Sequence, residues 1–175
     1  MPRRHPLPRL WLMTDERMGD ALWEALERLP RGGGVVFRHY GLPPAERRAL
    51  FARVLKVARR RRLVVVRAGN QPMRGEAGVH GGRGRGLRTA PAHDRCEAMA
   101  AIRGGADALF VSPAFPTRSH PDGRALGRAR FGLLVRRLGV PVIALGGMDA
   151  RRARSLRPFG IHGWAAIDAW TKGKS

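Results

Sequence analysis

Four polar side chains follow a short apolar run in the second half of the chain, and their types suit the binding of a polar ligand. The run, Ala108–Val111, is bounded by turn residues and is typical of a strand buried on both faces. Hydroxyl groups donate and accept hydrogen bonds, and a histidine can take up a proton near neutral pH. A buried strand that opens into a polar, proline-stiffened loop commonly holds functional groups on a rigid scaffold. The four side chains are Ser112, Thr117, Ser119 and His120.

A second unit able to do chemistry is Pro141–Asp149. It predicts a strand, a turn at Gly146 and Gly147, and a helix that Asp149 caps. Backbone N–H groups in a glycine turn and at a helix N-terminus are free to donate to an anion. The segment therefore predicts a place where a phosphate group can bind.

The elements that must position these groups alternate between apolar runs of strand length and amphipathic runs of helix length, which predicts a parallel α/β barrel. The predicted strands are Arg9–Thr14, Val35–Tyr40, Leu63–Val66, Gly78–Gly81, Leu87–Ala92, Ala108–Phe115, Val142–Leu145 and Gly163–Ala169. The predicted helices start at Asp15, Pro43, Asp94, Arg128 and Asp149. The apolar face of the second extends to Ala58, and the other four end near Leu29, Ile102, Leu138 and Leu156.

Three outer helices of this barrel are predicted to be short or missing. Only Gly69–Ala77 separates strands three and four, only Gly82–Gly86 separates strands four and five, and few residues follow strand eight. The prediction is a single domain over residues 1–175, a trimmed (β/α)8 TIM barrel that lacks full helices 3, 4 and 8. Because bare strand flanks would expose apolar surface, a homodimer that covers them is also expected.

Composition limits the functional classes. No apolar run approaches a membrane span, no signal peptide is evident, and the single cysteine, Cys96, fits a reducing cytoplasm. Cys96 is expected to pack between a helix and the sheet. The net charge of +21 would suit nucleic acid. However, nearly all the positive residues are arginines spread along the chain with few aromatic residues between them, which favours a compositional origin.

The motifs SPAFPTRSHP, PVIALGG and GWAAIDA resemble the C-terminal half of the thiamine phosphate synthase/TenI family. The resemblance is strong from about Ala90 to Trp170 and looser before it, where LWLMTD and GVVFRHY look like the family's first two strands. It implies a (β/α)8 barrel of thiamine biosynthesis. The family's synthase is a transferase that joins a pyrimidine pyrophosphate to a thiazole phosphate and releases pyrophosphate, with Mg²⁺ and basic side chains stabilising the leaving group.

The resemblance also assigns substrate-binding positions at the C-terminal ends of the strands. Arg38 matches a diphosphate-binding arginine, and Gly146 and Gly147 match the phosphate-binding turn after strand seven. Thr117 matches the first hydroxyl of the family's Thr-x-Thr loop. The complete set is Arg38, His93, Thr117, Ser119, His120, Gly146, Gly147 and Asp168.

Other family positions carry different residues. The two carboxylates that hold Mg²⁺ in the family fall on Ala68 and Arg85, so no metal site and no cofactor are predicted. His120 replaces a lysine, and Asp168 replaces a serine near the thiazole phosphate. The catalytic histidine of the TenI branch, a thiazole tautomerase, falls on Pro113. Neither catalytic set is intact, so no catalytic residue is assigned.

Three functions stay open. The first is an enzyme of thiamine biosynthesis that binds a phosphorylated pyrimidine or thiazole precursor. The second is a barrel of the same family that binds a phosphate ligand or regulates without catalysis. The third is a basic nucleic-acid-binding protein. Arg67 and Arg85 either replace the metal or lie on solvated loops. With Arg38 and His120 they are expected to keep the mouth of the barrel positive.

Overall fold

A computed structural model of the protein describes residues 6–117 and 125–171. Eight parallel strands pair in sequence order, and β8 pairs with β1 to close the barrel. The (β/α)8 TIM-barrel prediction is therefore confirmed. The strands are β1 Leu10–Met13, β2 Gly34–Phe37, β3 Val64–Ala68, β4 Gly78–His80, β5 Leu87–Ala92, β6 Ala108–Val111, β7 Val142–Leu145 and β8 Gly163–Ala166.

Five α-helices lie in the described residues: α1 Ala21–Arg28, α2 Pro44–Arg61, α3 Arg95–Arg103, α4 Gly127–Val135 and α5 Ala150–Leu156. Short 3-10 turns cover Glu16–Met18, Arg157–Phe159 and Asp168–Trp170. The first predicted helix is divided because Gly19 adopts a φ of 49° between the first 3-10 turn and α1. None of the helices within these residues is long and apolar enough to cross a membrane.

The barrel interior is filled mainly by strand side chains, with Leu7 and Ile167 packed against them. One buried cluster contains Trp11, Val36, Phe110 and Ile143 together with other strand residues. The edge of the Trp11 ring packs against Phe110 with centroids 5.2 Å apart. Gly34 makes room for this ring, since a Cβ there would lie 2.2 Å from it. Alternate residues face outward, where α1 and α2 cover one side and α3, α4 and α5 cover the other.

The connections that lack helices fold back over the barrel. Neither residues 69–77 nor residues 81–86 contain a helix, and only a 3-10 turn follows β8 within the described chain, as predicted for helices 3, 4 and 8. The prediction of exposed apolar flanks is wrong for β3 and β4, because their outward residues Val65, Arg67 and Val79 are all buried. At β8, Trp170 stacks on Trp164 with centroids 5.0 Å apart. Association into a homodimer stays a prediction, but exposed apolar flanks at β3 and β4 no longer support it.

Arg67 is the side chain that closes the flank of β3 and β4. It forms an ion pair with Glu76 from the β3–β4 connection, with Nε and Oε2 2.7 Å apart. It also donates to the carbonyl oxygens of Gly69 and Arg83, the latter at 2.9 Å. One guanidinium group thereby holds both helix-free connections against the barrel.

Four predicted element ends lie three or four residues beyond the observed ones, and one predicted environment also differs from the structure. The strands predicted to reach Tyr40, Phe115 and Ala169 end three or four residues earlier, where the chain turns into the loops above the barrel. The α4 helix ends at Val135, two residues before Arg137 adopts a φ of 55°. Cys96 is exposed because it lies on the outer side of α3, so its predicted packing against the sheet is wrong.

Candidate functional site

A cavity of about 640 Å³ opens at the C-terminal ends of the strands. Every strand contributes to it, either from its last residue or from the loop that follows. Active sites of (β/α)8 barrels are built from the loops that follow the strands, and these loops lie at this face. The position therefore agrees with the site expected from the sequence.

Six of the eight predicted binding residues line this one cavity: Arg38, His93, Thr117, Gly146, Gly147 and Asp168. The other two, Ser119 and His120, lie outside the described residues. The structure thus brings together residues that are up to 130 positions apart in the chain. Their roles in binding stay predictions.

Arg38 is fixed to the end of β1. Its Nε donates to the carbonyl oxygen of Thr14 at 2.7 Å, and its Nη2 donates to Oδ2 of Asp15 at 3.0 Å. A hydrogen bond from the Arg17 side chain, with a smaller electrostatic contribution from Arg38, lowers the pKa of Asp15 to about 2. The carboxylate is consequently ionised at neutral pH, and it orients the guanidinium group.

Arg47 holds the backbone of Arg38 in place through hydrogen bonds. It extends from α2, is 5% exposed, and donates to the carbonyl oxygens of Arg38 and Ala68 at 2.9 and 2.8 Å. Its guanidinium also lies 5.8 Å from the ring centre of Tyr40, which lines the cavity. No motif in the sequence indicated a role for Arg47. The available signal was that Arg47 occupies the same helix face as the core residue Phe51, one turn further along.

The turn after β7 requires glycine at both positions. Gly146 and Gly147 have φ values of 94° and 59°, a region that other residues adopt rarely. A Cβ on Gly147 would also lie 2.3 Å from the carbonyl oxygen of Pro116. Phe115 donates from its backbone to the Gly146 oxygen at 3.1 Å, which ties the β6 loop to this turn. The two predicted ligand-binding loops therefore form one packed unit.

His80 lies in the floor of the cavity at the end of β4. It is 7% exposed, and its Nδ1 is 2.9 Å from Oγ1 of Thr89. Burial, with a smaller electrostatic contribution from Arg38, lowers the pKa of His80 to about 4. The ring is therefore neutral at pH 7. No motif in the sequence assigned a role to His80, although a histidine that ends a strand before two glycines was the available signal.

Stability should fall as the pH falls below the ordinary histidine pKa, because the unfolded chain takes up a proton that folded His80 does not. The loss starts near pH 6.5 and continues towards pH 4. It should reach about 2 kcal/mol at pH 5, since each pH unit contributes about 1.4 kcal/mol. Urea unfolding at pH 7 and pH 5 measures it.

The matched control is His80→Gln, which should lose most of this pH dependence. A smaller loss should remain in it, because burial also lowers the pKa of His39. The prediction fails if the wild-type protein and His80→Gln lose the same free energy of unfolding between the two pH values.

The mouth of the cavity is less positive than the sequence predicted. Arg67 points away from the barrel interior, because its neighbours Val66 and Ala68 in β3 point inward. Arg85 lies exposed in the glycine-rich loop after β4 and does not line the cavity. Of the four residues expected to keep the mouth positive, Arg38 lines the cavity and His120 lies outside the described residues.

The residues present do not fit the Mg²⁺ site that the resemblance implies. The position of the first carboxylate is the methyl group of Ala68, buried in the barrel interior. The position of the second is Arg85, a cation outside the cavity lining. Within residues 6–117 and 125–171, no three histidine, cysteine or acidic side chains are grouped so that they could hold a metal ion.

Two predicted residues lie at the exposed rim. The His93 ring is 2.8 Å from Oε2 of Glu97, which also accepts from the His93 backbone N–H. These two hydrogen bonds lower the pKa of Glu97. Asp168 lies in the 3-10 turn after β8, and its charge contributes to the raised pKa of Arg17, after the larger effects of Asp15. The rim therefore carries acidic as well as basic groups.

The closed parallel barrel and the cavity above its strands define a (β/α)8 protein with a cavity at the face where such barrels carry their active sites. Residues 89–170 match the family model "Thiamine monophosphate synthase". Curated thiamine-phosphate synthases from Pyrococcus furiosus and Chloroflexus aurantiacus are 36% identical over 73 residues and 34% identical over 79 residues. These matches cover 42% and 45% of this chain, but only 35% and 37% of the relatives' length.

Among solved structures, a thiamine phosphate pyrophosphorylase from Pyrococcus furiosus superposes with a TM-score of 0.75 and 24% identity, covering 92% of this chain and 86% of that one. At this identity the superposition supports the fold alone. Together, the family model and the curated relatives confirm the relationship to the thiamine phosphate synthase/TenI family. The family model matches from within β5 to the 3-10 turn after β8.

Proposed function

We propose that the chain acts in thiamine biosynthesis by binding a phosphorylated pyrimidine or thiazole precursor in the cavity above the barrel. The observation that supports this most is that Arg38 and the Gly146-Gly147 turn line one cavity. A guanidinium group recognises phosphate oxygens through charge-assisted hydrogen bonds, and its fixation by Asp15 reduces the entropy lost on binding. The glycine turn allows close approach of an anion to the backbone.

The remaining walls suit a flat heteroaromatic ring. Met13, Pro91, Leu145 and Ile167 give the cavity apolar surface, and neutral His80 adds a hydrogen-bonding group to its floor. A volume of about 640 Å³ is within the range typical of small-molecule sites. Apolar walls with a few polar groups at defined points are the usual composition of such sites.

Asp168 restricts how the ligand lies. A carboxylate repels phosphate unless a cation is placed between them. The phosphate group therefore binds towards Arg38 and the glycine turn, and a hydrogen-bond donor on the ring lies towards Asp168. This arrangement is less suited to a thiazole phosphate whose phosphate lies where the family has a serine.

Synthase turnover is expected to be absent or very slow. Departure of pyrophosphate needs positive charge on the leaving oxygens, and the family's two metal carboxylates are replaced by Ala68 and Arg85. A barrel that binds a phosphate ligand or regulates without catalysis is the alternative form of the same proposal. Nucleic-acid binding gains no support, because exposed arginines lie on α2, α4 and α5 around the barrel.

A thiochrome fluorescence assay tests the expected lack of turnover. Purified protein is incubated with both synthase substrates and Mg²⁺, beside a curated synthase as the positive control. We expect no thiamine phosphate above the level of the protein-free blank. Mg²⁺-dependent turnover of about 1 per second or faster would show instead that the chain is an ordinary synthase.

A further inference from the structure

A second cleft lies on the outside of the barrel, away from the cavity, and the proposed function does not use it. It measures about 340 Å³ and lies between α2 and the connection from β3 to β4. Its floor is apolar, because Phe51, Leu55 and Met73 are buried there. We name it the arginine cleft; it is lined by Arg48, Phe51, Ala52, Leu55, Arg59, Met73 and Arg74.

The arginine cleft is present because no helix follows β3. In a complete (β/α)8 barrel a helix of the outer ring packs beside α2 at this place. Here residues 69–77 make a turn in which Met73 and Glu76 bond to each other through backbone and side chain, at 3.2 and 2.8 Å. The ion pair between Glu76 and buried Arg67 fixes this wall. The cleft is thus a fixed groove with one helix as its other wall.

Unpaired positive charge surrounds the apolar floor. No carboxylate in the described parts of the chain forms an ion pair with Arg48, Arg59 or Arg74. By contrast, Arg60 and Arg61, which follow in the same helix, both pair with Glu27. Three unpaired guanidinium groups around an apolar floor are complementary to a ligand with apolar surface flanked by carboxylates.

The spacing of these residues gives the shape of that ligand. Arg48, Ala52, Leu55 and Arg59 recur every three or four residues, so they lie on one face of α2. They extend over about 16 Å at 1.5 Å per residue. One small anion is too short to contact both Arg48 and Arg59 over this distance. A facing helix of three turns has the same length.

We propose that the arginine cleft binds an acidic amphipathic helix of a partner protein. Its apolar residues would pack on Phe51, Leu55 and Met73, and its carboxylates would pair with the three arginines. A second copy of this chain is a poor occupant, because each copy carries a net charge of +21. A nucleic-acid backbone would complement the positive charge, but it offers no apolar surface to pack on the floor of the cleft. The cleft lies outside the cavity, so this proposal does not rest on the function proposed above.

Fluorescence anisotropy with a labelled 18-residue helical peptide tests the proposal. The peptide carries leucines along one face and glutamates on both sides of them; a scrambled peptide of the same composition is its control. We expect saturable binding at micromolar concentration, at least 10-fold tighter than that of the scrambled peptide. Arg59→Glu in the cleft should weaken it at least 10-fold.

The matched variant is Arg151→Glu, which makes the same charge change on the exposed surface of α5. It should leave peptide affinity within about twofold of the wild-type protein. The proposal is overturned if neither peptide binds, if both bind equally, or if Arg59→Glu and Arg151→Glu weaken binding to the same extent. Displacement of the peptide by a single-stranded oligonucleotide with the same dependence on Arg59 would point to nucleic acid instead.

Discussion

Arg67→Ala should lower the free energy of unfolding by about 3–5 kcal/mol, the cost of removing one partner of a buried ion pair. The side chain of Arg67 is 2% exposed and that of its partner Glu76 is 16% exposed, so the remaining carboxylate would stay largely out of water. The substitution also removes hydrogen bonds to carbonyl oxygens in both helix-free connections. Urea unfolding measures the change.

Two further variants separate this explanation from a general effect of lost charge. Arg59→Ala removes an exposed arginine from the same side of the barrel and should cost less than about 0.5 kcal/mol. The double variant Arg67→Met/Glu76→Leu leaves no buried charge unpaired and should recover the part of the loss that comes from the unpaired carboxylate, but not the part from the lost hydrogen bonds. If Arg67→Ala cost no more than Arg59→Ala, the ion pair would not be what closes this flank.

Arg38→Ala should weaken binding of a phosphorylated precursor by about 10- to 100-fold, since a hydrogen bond to a charged group contributes about 1.5–3 kcal/mol. Arg38 is the one residue of the expected positive mouth that the described structure places in the cavity lining. Isothermal titration calorimetry gives the affinity, and a thermal unfolding curve shows whether the variant remains folded.

Arg85→Ala is the matched control for Arg38→Ala, because it removes the same charge from a residue that does not itself line the cavity. Its affinity should stay within about twofold of the wild-type value. Equal losses in the two variants would mean that long-range charge, rather than contact with Arg38, attracts the ligand.

The sequence predicts the barrel well because each strand is an apolar run between turn residues. The sequence does not predict which way the Arg67 side chain points. The preceding run, Leu63–Val66, is apolar throughout, so its pattern does not show which residues face inward. The pairing of Val66 with Gly78 and of Ala68 with His80 settles this register, and it depends on a neighbouring strand. A side chain assigned to the mouth by its place at a strand end therefore lies on the outer flank.

The loops around the cavity were predicted best where backbone geometry demands one residue type. Gly146 and Gly147 could be recognised because few other residues adopt their φ values. Arg47 and His80 were missed because each acts through contacts with distant strands. Arg47 joins the ends of β2 and β3, and the low pKa of His80 comes first from burial and then from Arg38. Such contacts follow from the closed barrel, and no local pattern reveals them.

The central proposal is that the cavity binds a phosphorylated thiamine precursor without Mg²⁺. Isothermal titration calorimetry of the wild-type protein tests it most directly, with the pyrimidine pyrophosphate and the thiazole phosphate titrated separately in EDTA and in Mg²⁺. We expect at least one of them to bind with the same affinity, within about threefold, in both buffers. Binding that requires Mg²⁺, or no binding of either compound in EDTA, would contradict the proposal.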